Sequence, residues 1–322
     1  MPEICYVPKN FRAATLGIID KANRIIVEYQ AQGYTLTVRQ LYYRFIAGDL
    51  FPDTWIDSTY NARHGLPPDT KNTTKNYKRL GDIISDARLA GLIDWDAIED
   101  RTRELRSAAH WNSPSSIVRA CADQFRYDLW GNQDYYCEVW IEKDALIGVI
   151  EGVCSELDVP YFSCRGYTSQ SAMWGAAQRL NRKERRGKET IIFHLGDHDP
   201  SGLDMTRDIG DRLAMFQSSV DVRRIALTMA QIDQYGPPPN PAKTTDARYE
   251  KYREQHGDDS WELDALEPKV LNALIQDEVE QIRDQDRWDE QVDRQEIARD
   301  ELKQVATSWK RVVRGLQEDE DE

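Results

Sequence analysis

From residue 135 to residue 228 the chain alternates short apolar runs with helical periods, and this alternation constrains its fold more than any other feature. "YYCEVWI", "VPYFSC", "TIIFHL" and "VRRIALT" read as strands, and residues 144–156, 169–186 and 201–216 between them read as helices. Strands separated by helices predict a mainly parallel sheet covered on both faces, an α/β fold.

Two of these runs deliver acids at their carboxyl ends: "VWIEKDA" ends at Glu142, and "FHLGDHDP" at Asp197 and Asp199. Two carboxylates ~4 Å apart repel by ~4 kcal/mol at an effective dielectric of ~20, so basic groups, water or a cation must relieve them. Ligands of open α/β sheets gather beyond the carboxyl ends of the strands. If the two strands are neighbours, three carboxylates converge there, and such a partial set of hard oxygen donors suits Mg²⁺ better than a closed zinc cage. The competing reading is that Asp199-Pro-Ser-Gly simply starts the next helix. His194 and His198 flank the acids and permit a His/Asp dinuclear site, a lower-ranked arrangement in a chain with five histidines. Asp204 reads as a solvated or capping acid.

The first half is helical. Residues 11–32 carry apolar residues at helical spacing and stop near Gly33. "TVRQLYYRFIAG" opens with Thr37 and Gln40 at capping-box spacing, Leu36 and Leu41 as its staple, and Gly48 as its stop. Residues 49–74 read as an irregular insertion, and "KNYKRLGDIISDARLAG" as a further amphipathic helix. Helix, turn, helix and "LIDW" predict a helix-turn-helix or winged-helix unit. At ~100° per residue Tyr42 falls on the apolar face, and Tyr43 on the polar flank beside Arg39. Tyr43 is therefore expected to be the reachable phenol; the alternative is that both rings pack the helix. "KNTTKNYKR" holds Lys71, Lys75, Lys78 and Arg79 with no acid between them, and Arg88 follows. Such a run positions DNA phosphates or is a solvated face.

The net charge of −14 is unevenly spread: residues 1–130 carry 17 Lys and Arg against 16 Asp and Glu, and the rest 25 against 40. The expected organisation is a helical DNA-binding unit over 1–130, a metal-binding sheet unit over 131–265, and an acidic helical region over 266–322. In the last, Trp288, Val292, Ile297, Leu302, Val305 and Trp309 form the candidate packing stripe. No apolar run approaches the ~20 residues of a membrane helix. The N-terminus lacks a signal-peptide core, and the five cysteines form no CxxC pair, so a cytoplasmic protein with reduced thiols is expected. There is no GxxxxGK[ST] loop for ATP.

"VWIEKDA", "GYTSQSA" and "GDHDPSGLDM", in that order, resemble the Toprim domain of the topoisomerase VI A subunit and the related meiotic double-strand-break protein, and bacterial and phage chains of the same kind. "TVRQLYY" resembles that family's winged-helix segment. The resemblance covers residues 35–228, and "WELDALEP" also looks familial; the long insertion and the acidic C-terminal region depart from the pattern. It implies that Glu142, Asp197 and Asp199 bind Mg²⁺ with Lys143 nearby. It further implies that Tyr43, the second of two tyrosines, attacks DNA, with Arg39 supporting the phenolate or the scissile phosphate. The partners it implies are double-stranded DNA, a second copy of the chain whose tyrosine meets this copy's metal site, and a separate ATPase B-type subunit. A hydrolytic Toprim nuclease and a non-catalytic DNA-binding protein are the rival expectations.

Overall fold

The computed structural model of the chain describes residues 4–98 and 108–319. Helices α1 (Ala13–Gln30), α2 (Val38–Ala47), α3 (Ser58–Arg63) and α4 (Thr74–Leu89) form the first unit, followed by α5 (Pro114–Gln124). Then come β1 (Tyr135–Ile141), α6 (Ile147–Glu156), β2 (Tyr161–Ser163), α7 (Gln170–Glu184), β3 (Glu189–Leu195), α8 (Pro200–Met215) and β4 (Asp221–Ala226). The chain continues through α9 (Met229–Tyr235), β5 (Asn240–Pro241), α10 (Tyr249–His256) and β6 (Asp259–Ser260), and ends in α11 (Pro268–Ile282), α12 (Gln285–Thr307) and α13 (Trp309–Asp319).

The α/β expectation holds. Four strands form one parallel sheet in the order β2-β1-β3-β4. Alternate residues of each strand feed opposite faces, as the period of two demands. Cys137, Val139, Ile141, Ile191, Phe193 and Leu195 join α6 and α11 in one core, while Trp140 and Ile192 join α7 and α8 in another. From β1 the chain first steps to one side, to β2, and then crosses back to β3 and β4. Right-handed crossovers in opposite directions put α6 on one face and α7 and α8 on the other. The strand order therefore reverses between β1 and β3, which opens a crevice at their carboxyl ends.

In the first unit α1, α2 and α4 share a core that includes Ile19, Leu41, Phe45, Leu80 and Ile84. The capping box forms: Thr37 N–H donates to Gln40 Oε1 at 2.9 Å, and Gln40 N–H to Thr37 Oγ1 at 3.2 Å. Leu36 and Leu41 are both buried in that core. Among the described residues no two-stranded wing follows α4; the strand contacts here are single bridges, Cys5 with Ala90 and Leu36 with Ile98. Residues 49–74 are more ordered than their composition suggests. They contain a 3₁₀ turn and α3, and send Phe51 and Trp55, stacked at 4.8 Å, into the core.

The C-terminal region divides differently from the expectation. Helix α11 is a layer of the sheet unit, burying Leu271, Ile275 and Val279. Helix α12 packs on α5 instead, with Gln295 Oε1 accepting the Tyr127 N–H at 2.8 Å. Trp288 is buried as expected, but Ile297 is 64% exposed, so the proposed stripe does not run the length of the helix.

Candidate functional site

Glu142 and Asp197 leave adjacent parallel strands at the crevice, and the structure brings them together. The Glu142 N–H extends the ladder to Leu195 O at 2.8 Å, and Glu142 Oε2 accepts the Asp197 N–H at 2.9 Å. Asp199 caps α8, its Oδ1 accepting the Gly202 N–H at 2.6 Å, so the helix-start reading of Asp199 is correct whatever else it does. Two glycines make the convergence possible. A Cβ on Gly196 would stand 2.9 Å from Glu142 Oε2, and one on Gly202 would overlap the Asp197 carbonyl oxygen. Gly202→Ala is expected to cost at least ~2 kcal/mol in a urea titration, because backbone must move to admit the methyl group.

The charge question is answered first by a lysine. Lys143 Nζ lies 2.9 Å from Asp197 Oδ1 and 3.1 Å from Asp264 Oδ1, and also binds Glu262. Arg39 extends the network from the helical unit, meeting Glu262 at 2.5 Å and Asp264 at 2.7 Å. Burial alone would lower the Lys143 ammonium, but Asp264, Asp197 and Glu262 hold it above its ordinary value. Burial raises Asp197 and Glu142 above the usual carboxylate range, with Lys143 opposing in both. Among the described residues, no three His, Cys, Asp or Glu side chains are already grouped to hold a metal ion.

Arg224 of β4 organises the loop beneath the acids. It donates to Gly196 O (2.8 Å), Asp197 O (2.6 Å), Gly202 O (3.0 Å), Leu227 O (3.2 Å) and Thr206 Oγ1 (3.0 Å). All five guanidinium N–H groups are thereby used. Thr206 Oγ1 also pairs with His194 Nδ1 at 2.8 Å. Both histidines are hydrogen-bonded through Nδ1, His194 to Thr206 and His198 to the Tyr252 hydroxyl at 2.9 Å, and His194 Nε2 is buried without a partner among the described residues. Burial, with Arg224 adding to it, lowers His194 from 6.5 to about 3. Below pH 6.5 the unfolded chain therefore binds a proton at this position that the folded chain excludes. The His194 contribution to stability is lost as pH falls, at about 1.4 kcal/mol per unit. The stability difference between wild type and His194→Gln should shrink by about 2 kcal/mol between pH 6.5 and 5, measured by urea titration at each pH; a constant difference would contradict this.

Both tyrosines are buried, Tyr42 at 4% exposure and Tyr43 at 6%, so Tyr43 does not lie on an open flank. Both rings belong to the buried cluster of the first unit, and Asn240, Pro241 and Glu262, from the segment that holds β5, α10 and β6, line a cavity on the Tyr43 side. The two hydroxyls still differ. The Tyr42 hydroxyl accepts the Thr73 N–H at 2.8 Å and lies 3.1 Å from Thr73 O, whereas among the described residues that of Tyr43 has one long contact, 3.5 Å from Asn240 Nδ2. Tyr43 lines this cavity of about 400 Å³ with Arg39, whose guanidinium lies 5.7 Å from its ring centre. Burial, then Glu262 and Asp264, raise the Tyr43 phenol well above its ordinary value.

The basic run is largely engaged within the chain. Lys71 pairs with Asp49 and Asp53, Lys75 with Asp57 at 2.6 Å, Arg79 stacks on Trp55 at 4.1 Å, and Arg88 donates to Trp95 O at 2.7 Å. Lys78 is exposed on α4.

Comparison with protein-family models, curated proteins and solved structures gave no match. The site therefore stands on its own geometry. Sequence reasoning missed Glu262, Asp264 and Arg224. The signals were the two acids one residue apart in "WELDALEP" and a basic pair inside the strand "VRRIALT".

Proposed function

We propose that the chain cleaves DNA at the carboxyl ends of β1 and β3, with Mg²⁺ held by Glu142, Asp197 and Asp199 and with Tyr43 as nucleophile. The observation that carries this reading is the meeting of Glu142 and Asp197 at the strand-order reversal, with Asp199 two residues on. The donor chemistry fits: a backbone N–H fixes one oxygen of Glu142 and one of Asp199, while Leu263 N–H and Lys143 hold Asp197 Oδ1. Among the described residues none bonds Glu142 Oε1, Asp197 Oδ2 or Asp199 Oδ2, so each acid keeps an oxygen for a hard cation. Mg²⁺, when bound, supplies charge stabilisation at a phosphate oxygen.

The chain's own residues have three tasks. Arg224 holds the acid-bearing loop in place. Lys143 neutralises Asp197 and its neighbours, and Arg39 offers positive charge beside Tyr43. Attack of Tyr43 Oη on a backbone phosphorus forms a phosphotyrosyl bond at a 5′ end and releases a 3′ hydroxyl, which keeps the break reversible. Duplex DNA as substrate, a homodimer and a separate ATPase subunit belong to the same proposal, as does a winged-helix character of the first unit and a Toprim character of the second.

One observation favours the hydrolytic rival. Burial, and then Glu262 and Asp264, oppose ionisation of Tyr43, which favours a reaction that does not use this phenol. Supercoiled plasmid incubated with Mg²⁺ and resolved with and without protease separates the two. The tyrosine reading expects protein-linked 5′ ends that vanish in Tyr43→Phe. Undiminished cutting by Tyr43→Phe would favour hydrolysis, and no nicking with Mg²⁺ or Mn²⁺ would leave a DNA-binding protein.

A further inference from the structure

We propose that the groove between α8 and α10 binds phosphates of the DNA strand, through Arg207, Arg248 and Lys251. This rests on the DNA reading above and extends it to where the strand runs. The groove encloses about 390 Å³ and is lined by Pro200, Asp204, Arg207, Arg248, Lys251 and His256 among others. Pro200 directly follows Asp199, so the groove begins at the edge of the acid centre.

In a chain of net charge −14 this groove has three permanent cations and a histidine on its walls against one acid, Asp204. Asp204 spans the two arginines, 2.7 Å from Arg207 and 3.0 Å from Arg248, and accepts the Tyr167 hydroxyl at 2.7 Å. Burial would raise Asp204, but Tyr167, Arg207 and Arg248 keep it below the usual carboxylate range, so it stays charged and fixes both guanidinium groups. Arg248 also stacks on Tyr167 at 5.4 Å. Asp211 and Asp246, outside the groove, hold further N–H groups of Arg207 and Arg248. Lys251 is exposed and pairs with no carboxylate among the described residues. Two guanidinium planes held in place and one unpaired ammonium are the donor set that recognises phosphate oxygens, and prior fixation lowers the ordering cost of binding.

The test compares binding of a fluorescent 20-base-pair duplex, by anisotropy over a salt series, for three proteins. These are wild type, Arg207→Glu/Lys251→Glu in the groove, and Lys303→Glu/Lys310→Glu on the C-terminal helices, which makes the same change in net charge. All four positions are exposed, and each variant is checked for native circular dichroism and an unchanged urea midpoint. The expected result is that the groove variant loses affinity on the order of tenfold or more, and that its slope of log K against log salt falls by about two. The control variant should stay near wild type. Equal losses in both variants, or no loss in the groove variant, would overturn the proposal. A wild type that binds no duplex would withdraw the DNA reading itself, and this inference with it.

Discussion

Arg224→Met is expected to lower the stability of the chain by about 3–5 kcal/mol, read from urea unfolding. Burial lowers the guanidinium to about 10, which leaves it charged at neutral pH. Its five N–H groups close on four carbonyls and one hydroxyl within Gly196–Leu227. Methionine fills the space but withdraws all five donors. Gly196 O keeps the Leu227 N–H and Thr206 keeps His194, but the Arg224 bonds to the Asp197, Gly202 and Leu227 carbonyls are lost. An unmade buried hydrogen bond costs more than a made one contributes. The loop that presents Asp197 to Glu142 should loosen as well. Arg224→Lys should recover little, since one ammonium cannot reach both edges of the loop as a planar fork does. A loss under 1 kcal/mol for Arg224→Met would show that the loop holds its shape by other means.

The second large effect lies on the same face of the sheet, under α7 rather than α8. Glu138, in the middle of β1, is 2% exposed, and its carboxylate accepts from the Tyr136 hydroxyl, Trp140 Nε1 and both Arg179 Nε and Nη2 at 2.7–2.9 Å. Arg179→Met strands that charge with two neutral donors and should cost about 3–5 kcal/mol. Replacing both, Arg179→Met with Glu138→Met, removes the stranded charge and should cost less than Arg179→Met alone, because only the tyrosine and tryptophan donors are then unmatched. A double variant whose loss equals the sum of the two single losses would contradict this.

What could be seen in the sequence was local. β1 and β3 end at their predicted acids because an apolar run stopping at a carboxylate is a signal carried by neighbouring residues. The Thr37–Gln40 box is local for the same reason. What could not be seen depends on distant partners. Lys143 meets Glu262 and Asp264 across about 120 residues, and no periodicity couples those positions. The helical wheel placed Tyr43 beside Arg39, as found, but not its burial in the same core as Tyr42, because it carried no information on Asn240, Pro241 and Glu262 from the distant segment that lines its cavity. Arg224 bonds mainly to backbone carbonyls, which leave no mark on residue types. The charged C-terminal region misled because its helices pack on two different partners, the sheet and α5, rather than along one stripe.

Lys143 and Arg39 already neutralise part of the acid cluster, so magnesium uptake is the decisive property of this site. Calorimetric titration of the folded chain with Mg²⁺ should show saturable binding that disappears in Asp197→Ala and in Glu142→Gln, each checked for native circular dichroism. Absence of saturable uptake by the wild type, or uptake unchanged in both variants, would contradict the metal-dependent account.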